Sequence, residues 1–303
     1  MTSRELEIFH AVMSSRSLTE AAASLHISQP ALSKAVKRLE DRLRLPLFRR
    51  VNGRLRPTPE ADCLYPEAAR LLREIGSLSR TAMEMRGGEV GLLRVAASAS
   101  LGLSVVPAAI AAFAAAFPKV KVVSHFLPAS SIAQSVMDNH IDIGMTLSPV
   151  DLPGTASQSL ASVRMVCAVR PDDPLAAKAV IRPRDLAGAR LISFGSDSFF
   201  GRLLDECFDG EGVERRIAVE LVTAVQAVPL VLRGAGVAVL DSYMQRAGFS
   251  GIAWRPFVPE ILLPVNLITA TMRPTSRLAN RFAGYVTEAV REWGPAPGPP
   301  AGP

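Results

Sequence analysis

Residues 17–56 show two short helical patterns of apolar and polar positions with a tight turn between them. Thr19 is the predicted N-cap of the first helix, which runs to Leu25. Ser28 is the predicted cap of the second helix, and Pro30 lies in its first turn, where a missing N–H is tolerated. The second helix has one apolar face, formed by Leu32, Val36, Leu39 and Leu43.

The opposite face of this second helix is polar and basic. It starts at Gln29 and carries Ser33, Lys34, Lys37 and Arg38. Four arginines then surround the turn pair at 52–53: Arg49, Arg50, Arg54 and Arg56. A helix with an apolar back and a hydrogen-bonding front is typical of a helix-turn-helix, and arginines suit phosphate contact. The pattern predicts binding of double-stranded DNA; the alternative is an ordinary surface helical hairpin.

A long helical pattern follows, beginning with Thr-Pro-Glu at 58–60 and running to two glycines at 87–88, a predicted hinge. Its apolar positions repeat at alternating spacings of four and three residues: Leu64, Ala68, Leu71, Ile75, Leu78 and Ala82. Such a repeat favours pairing with another helix. Because no other pattern in the sequence has a matching length, it predicts a dimer seam, with packing onto its own domain as the alternative.

From residue 91 the pattern changes to strands that alternate with helices. LLRVAAS, KVVSHFL and IDIGMTL predict strands joined by helices at about 101–117 and 130–139. A second set, VRMVCAV, RLISF, RIAVELV and GVAVL, is followed by VNLITATM and a helix at 276–293. This rhythm predicts a mostly parallel sheet covered on both faces. The tail at 295–303, rich in Pro and Gly, is predicted to be disordered.

In open α/β sheets, small ligands bind beyond the carboxyl ends of the strands, near helix N-termini. Hydroxyl-bearing segments follow several of the predicted strands and would suit a carboxylate. The candidate ligand-binding residues are Ser98, Ala99, Ser100, Leu101, Ser130, Thr146, Ser196, Ser198 and Thr223. The alternative is that these hydroxyls are ordinary helix caps.

Charge and composition narrow the class of protein. The chain of 303 residues has a formal net charge of +6, and residues 1–60 carry +5 of it, as a polyanionic partner requires. Cys63, Cys167 and Cys207 form no CxxC motif and are predicted to be buried thiols of a reducing compartment. No signal peptide is visible, and the most apolar segment, at 105–117, is too short for a bilayer. We therefore expect a cytoplasmic protein without a membrane partner.

The sequence offers little for catalysis. Its four histidines lack metal-ligand spacing, and the segment at Gly195 lacks the G-x-S-x-G motif of a nucleophile elbow. We expect no metal, no cofactor and no enzymatic activity. A solute-binding protein is a further alternative, disfavoured by the basic ribbon and the missing signal peptide.

The motifs AAASLHISQPALS, LPLFRR and RLRPT, all within residues 6–58, resemble the LysR-type transcriptional regulators, and the similarity continues to about residue 290. The resemblance implies an α + α/β chain: a winged helix-turn-helix at 1–58, a linker (dimerisation) helix at 59–87, and an effector-binding domain at 91–294. That domain would have two lobes like a periplasmic binding protein, lobe I at about 91–162 and 266–294 and lobe II at about 163–265.

The same resemblance assigns roles and partners. Base edges of a pseudo-palindromic promoter site would be contacted by Gln29, Ser33 and Lys34, and the DNA backbone by Lys37, Arg38 and the four arginines; Thr19, Ser28 and Pro30 complete the DNA-binding set. The chain would form a homodimer or homotetramer and contact RNA polymerase. Effector binding would close the lobes and alter the DNA bend.

The effector class is also given by resemblance only. ISFGSDSFFGRLLDECF and ERRIAVE are similar to the family's founding member, and LRVAASASLGLSVVP and LVLRGAGVAVLD to its regulators of opine catabolism. This implies an effector such as diaminopimelate, lysine or an opine, with Asp197 or Asp241 as candidate partners of its ammonium group. The alternative is a cytoplasmic DNA-binding protein without ligand control.

Overall fold

The computed structural model describes residues 1–15, 17–51, 54–85 and 91–294. The predicted turn at 52–53, hinge at 87–88 and tail at 295–303 lie outside these residues, as do the side chains of Arg50, Arg54 and Ala82. The chain divides into two compact units, at 1–82 and 83–303.

The first unit consists of helices, one small hairpin and most of a long helix. Its elements are α1 (Ser3–Ser14), α2 (Leu18–Ser24), α3 (Gln29–Leu43), β1 (Phe48–Val51), β2 (Arg54–Pro57) and α4 (Pro59–Met85). In the hairpin, Arg49 lies opposite Arg56 in antiparallel register. These elements form the predicted winged helix-turn-helix.

Local capping fixes the two short helices of the motif. The Ser28 hydroxyl accepts a hydrogen bond from the Ala31 N–H at 3.4 Å, so the predicted cap of α3 is confirmed. The predicted cap of α2 is wrong: Ser17 accepts from the Glu20 N–H at 3.2 Å, and the exposed Thr19 lies inside the helix. Ser17 is the N-cap because its backbone is extended, which is the conformation that an N-cap residue adopts.

Two small cores hold this unit together. One joins α1, α2 and α3 around Ile8, Ala21 and Leu32. The other joins α1 and α3 to α4 around Phe9, Leu39 and Ala68, with Leu64 half-buried against it. Ala68 is only 4% exposed, so its predicted place in a dimer seam is wrong: the first turns of α4 serve their own domain.

The second unit begins with a lobe of three parallel strands, called lobe I below. Its elements are β3 (Gly91–Ala97), α5 (Ala99–Leu103), α6 (Val105–Ala116), β4 (Val120–Phe126), α7 (Ala129–Met137) and β5 (Ile143–Thr146). The single helix predicted at 101–117 is broken at Ser104, whose hydroxyl turns back to donate to the Ser100 carbonyl at 2.6 Å.

A second set of three parallel strands forms lobe II. Its elements are β7 (Leu191–Phe194), α8 (Phe199–Gly210), β8 (Ile217–Leu221), α9 (Ala227–Leu232), β9 (Val237–Asp241), α10 (Tyr243–Arg246) and β10 (Ala253–Pro256). Short 3-10 helices lie at Pro174–Ala177, Pro183–Leu186 and Ala224–Gln226. The sequence pattern predicted neither α10 nor β10.

Two long strands, β6 (Thr155–Val169) and β11 (Leu262–Ala270), run antiparallel between the lobes, and α11 (Arg277–Trp293) follows. They complete one nine-stranded sheet in the order β4-β3-β5-β11-β6-β9-β7-β8, with β10 on β6. The prediction of a mostly parallel sheet is therefore wrong at its centre. The predicted lobe boundaries at 162 and 266 fall inside these two strands.

The thiols are only partly as expected. Cys167 is buried in β6 and Cys207 is half-buried, but Cys63 is exposed on α4, against prediction. Burial raises the pKa of the Cys167 thiol well above its ordinary value. Among the helices that are described, none is long and apolar enough to cross a membrane. No cluster of metal-ligating side chains occurs in the same residues.

Leu39 is fully buried where α1, α3 and α4 meet, whereas Leu45 beyond the end of α3 is 40% exposed. We expect Leu39→Ala to destabilise this unit by about 3 kcal/mol through the cavity it leaves, and Leu45→Ala to cost well under about 1 kcal/mol. Amide exchange of residues 1–82 in the full chain should accelerate on the order of 100-fold for the first variant alone. Equal exchange in the two variants would contradict this core.

Candidate functional site

The exposed face of α3 carries the predicted DNA-contacting side chains. Ser33, Lys34, Lys37 and Arg38 are all exposed, as is Gln29 in the first turn. The opposite face holds the buried Leu32, Val36 and Leu39. The helix is thus fixed by its back and presents hydrogen-bonding and cationic groups in front, as a helix that enters a major groove requires.

Basic residues of this unit differ in whether they are paired. Arg4, Arg42 and Arg70 lie against the carboxylates of Glu7, Glu5 and Glu67. By contrast, in the part of the chain that the structure describes, no carboxylate pairs with the exposed cations of α3 and the hairpin: Lys34, Lys37, Arg38, Arg49 and Arg56. Their charge is available to a polyanion such as the DNA backbone.

The seam predicted on α4 continues beyond the part that packs on its own domain. Leu71, Ile75 and Leu78 are 39%, 42% and 73% exposed. They share one helix face, since they are spaced by four and three residues. A partner helix remains a prediction for these three positions.

The second unit contains a cavity of about 910 Å³ at the carboxyl ends of both parallel sets. It is lined by Ser98 after β3, Thr146 at the end of β5, Ser198 after β7, Thr223 after β8 and Asp241 at the end of β9. Ala99, Ser100 and Ser130 also line it. Most of the predicted effector residues therefore line one cavity, as expected from the rule that ligands bind beyond the carboxyl ends of strands.

Two predicted effector residues do not reach this cavity. Leu101 is 1% exposed and packs into the hydrophobic core. Ser196 is exposed and is not among the lining residues; its hydroxyl accepts from Arg215 at 3.4 Å. Arg215 is itself buried and bound to Asp205 at 2.7 Å, so Ser196 belongs to a structural ion pair. Both predictions are corrected, since the sequence does not show the direction in which a loop residue points.

Several lining hydroxyls are used locally. Ser198 caps α8, accepting from the Gly201 N–H at 2.9 Å and donating to the Gly195 carbonyl at 2.7 Å. Thr146 lies 3.1 Å from the Ser148 hydroxyl. Both hydroxyls therefore have structural roles: Ser198 caps a helix, and Thr146 fixes the loop that follows β5.

The lobes also touch across the cavity through one polar pair. The Ser100 hydroxyl, in lobe I, donates to Asp241 Oδ2, in lobe II, at 2.5 Å. Ser100 and Asp241 are 4% and 5% exposed. The other carboxylate oxygen, Oδ1, has no hydrogen-bond partner among the described residues. A buried polar bond thus joins the two lobes beside an unsatisfied acceptor.

Comparison with known proteins decides the family. The LysR substrate binding domain matches residues 86–291, and the bacterial regulatory helix-turn-helix protein, lysR family, matches residues 3–62. The chain belongs to the LysR family of transcriptional regulators. This confirms the family and the combination of a DNA-binding domain with an effector-binding domain expected from the sequence, and the family is not one of enzymes.

Individual relatives match this LysR-family regulator over nearly its full length. Transcriptional activator protein LysR of Escherichia coli (strain K12) is 33% identical, covering 93% of this chain and 91% of the relative. Regulatory protein NocR of Agrobacterium fabrum is 31% identical, with 95% and 97% covered. The crystal structure of full-length CbnR with its target DNA is 23% identical, with a TM-score of 0.75 and 96% and 100% covered; at this identity the likeness shows the fold alone.

The walls of the cavity in this LysR-family chain include residues that the sequence did not indicate. Phe126, at the carboxyl end of β4, and Phe200 on α8 supply aromatic surface, and Ser148 supports Thr146. Phe126 obeys the same strand-end rule as Ser98 but carries no polar side-chain atom, so the hydroxyl pattern of the sequence does not indicate it.

Burial raises the pKa of Asp241 to about 6 from an ordinary value of 3.8, against the lowering effects of the Ser100 hydrogen bond and of the backbone N–H groups of residues 241, 243 and 244. The folded protein therefore holds this proton more tightly than the unfolded chain does. The free energy of unfolding should fall as the pH rises from about 4 to 6, and the ionised group should cost roughly 3 kcal/mol at neutral pH.

We expect Asp241→Asn to raise the free energy of unfolding at pH 7.5 by up to about 3 kcal/mol, because the amide removes the buried charge and can still accept from Ser100. The gain should be smaller at pH 5, where part of the carboxyl is already protonated. Urea unfolding can be followed by the fluorescence of Trp254 and Trp293, both in this unit. Asp209→Asn, exposed on α8, is the charge-matched control and should give no gain. A loss of stability in Asp241→Asn at pH 7.5 would contradict the prediction.

Proposed function

We propose that this LysR-family regulator reads a pseudo-palindromic promoter site through α3. Gln29, Ser33 and Lys34 contact base edges, because they lie on the exposed front of the helix near its N-terminal end. Lys37, Arg38 and the hairpin arginines hold the DNA backbone. The observation that supports this division is the set of exposed cations on α3 and the hairpin that no described carboxylate neutralises. A DNA partner supports the cytoplasm as the compartment in which it acts.

The effector is proposed to be a small molecule held in the cavity between the lobes. The cavity volume of about 910 Å³ lies in the range of small-molecule sites. An amino acid or amino-acid derivative is supported by similarity: OccR of Rhizobium meliloti, an octopine catabolism/uptake operon regulatory protein, is 30% identical over 283 residues. Diaminopimelate, lysine and opines are therefore the first candidates.

Dimerisation through α4, assembly into a tetramer and contact with RNA polymerase complete the proposal. Leu71, Ile75 and Leu78 support the seam, since three exposed apolar side chains on one helix face favour a partner helix. Effector binding would close the lobes, rotate the dimers and change the DNA bend and the polymerase contact.

The base-reading role of Gln29 can be tested by substitution. Gln29→Ala should weaken binding to the cognate site by roughly 1–3 kcal/mol and leave binding to random DNA nearly unchanged, since a lost base contact carries no backbone energy. Fluorescence anisotropy on both DNAs measures this. Gln158→Ala, exposed in the other unit, should bind both like the wild type. Equal losses on the two DNAs would eliminate base reading by Gln29.

If α4 forms a dimer seam, a charged residue placed in that seam should reduce the mass of the assembly in solution. Leu78→Glu should shift the protein toward smaller assemblies in sedimentation velocity, because a carboxylate would be buried at an apolar contact. Met272→Glu is the matched control, because Met272 is 85% exposed in the other unit. A wild-type mass distribution for Leu78→Glu would place the contact elsewhere.

Ligand control is tested by anisotropy on the DNA upstream of the gene, at two salt concentrations, with and without diaminopimelate, lysine and octopine. Tight binding that persists at the higher salt and shifts with one ligand supports the regulator proposed here. Salt-sensitive binding equal to that on random DNA, with no ligand effect, would favour a DNA binder without ligand control.

A further inference from the structure

Three buried side-chain atoms in the described part of the chain lack a hydrogen-bond partner: Ser98 Oγ, Thr223 Oγ1 and Asp241 Oδ1. All three belong to residues that line the same cavity. Buried polar groups are normally satisfied, because an unpaired donor or acceptor costs free energy. Their concentration at one cavity, across β3, β8 and β9, indicates groups arranged for something that enters it.

The carboxylate is the most informative of the three. Asp241 is 5% exposed and receives one side-chain hydrogen bond, from Ser100. If its only task were to join the lobes, an asparagine could accept the same bond without a buried charge. A carboxylate with one oxygen held and the other without a partner, in a residue that lines a cavity, is instead suited to a cationic donor.

Carboxylates predominate among the charges around the cavity. The charged residues lining it are Asp151, Asp197, Arg202 and Asp241. Asp151 and Asp197 are exposed, and Arg202 is engaged through a bond from Nη1 to the Asp197 carbonyl at 2.8 Å. Three carboxylates against one guanidinium make the cavity acidic, which disfavours a ligand that is only an anion.

We propose that Asp241 binds an ammonium group of the effector through Oδ1, and that the free hydroxyls of Ser98 and Thr223 bind its carboxylate oxygens. The effector is then an amine-bearing acid, preferentially one with a second cationic group such as a basic amino acid. This inference rests on the proposed ligand control and specifies its chemistry. The bond from Ser100 holds Oδ2 and leaves Oδ1 without a hydrogen-bond partner among the described residues.

The test uses full-length protein and matched pairs of compounds that differ only in their amines. Lysine is compared with hexanoate, and meso-diaminopimelate with pimelate; octopine and cadaverine extend the panel. Isothermal titration calorimetry and ligand-induced thermal shift, followed by tryptophan fluorescence, measure binding to the wild type, Asp241→Asn and the control Asp209→Asn.

We expect an amine-bearing acid to bind the wild type and Asp209→Asn alike, and Asp241→Asn roughly 10- to 100-fold more weakly. Pimelate and hexanoate should bind none of the three proteins. Because Asp241→Asn is expected to be the more stable fold without ligand, a loss of binding would not reflect unfolding, and its urea transition checks this.

Three results would overturn the proposal: binding of pimelate or hexanoate as tight as that of the amines, equal affinity of the amines for the wild type and Asp241→Asn, or no binding of any amine in the panel. Anisotropy of the wild type on the cognate DNA without ligand reports the proposed regulator function separately. Specific DNA binding with a failed ligand test would refute only the role of Asp241.

Discussion

The antiparallel pairing of β6 with β11 is the constraint on which the second unit depends. Residues 155–164 of β6 pair with β11, and residues 165–169 pair with β9 and β10, so one continuous strand is hydrogen-bonded into both lobes. The two parallel sets are thereby held with their carboxyl ends at a common cavity. Because hydroxyls and helix N-termini follow those ends, the position of the candidate ligand site follows from the topology of the sheet.

In the first unit the corresponding constraint is the small size of the hydrophobic core. A unit of this size buries little apolar surface, and α1 to α3 supply only small clusters. The first turns of α4 are drawn into one of these clusters through Ala68 and Leu64, which leaves Leu71, Ile75 and Leu78 outside. The apolar repeat of α4 therefore has two parts: its first positions pack into the core of their own unit, and its later positions are exposed and open to a partner helix.

The sequence predicts those features of the structure that depend on residues close together in the chain. Ser28 and Pro30 at the start of α3, and the strand-end hydroxyls of Ser98 and Thr223, follow from short motifs with known geometry. The misplaced cap at Thr19 is an error of two residues in a helix start. No local pattern predicts the antiparallel centre of the sheet, because β6 and β11 pair residues about 100 positions apart.

The candidate ligand site also combines features that the local sequence predicts with features that only tertiary packing determines. The sequence marks Asp241 as an acid at the end of a strand, but its significance lies in two facts that only packing supplies: its burial, and a hydrogen bond to a residue 141 positions away. Burial disfavours a charge in such a position, whereas the other residues of β9, at 237–240, are buried and apolar. Departures of this kind are expected where a fold is adapted to bind. The burial of Asp241 is therefore the feature of β9 that the proposed cationic group of a ligand would offset.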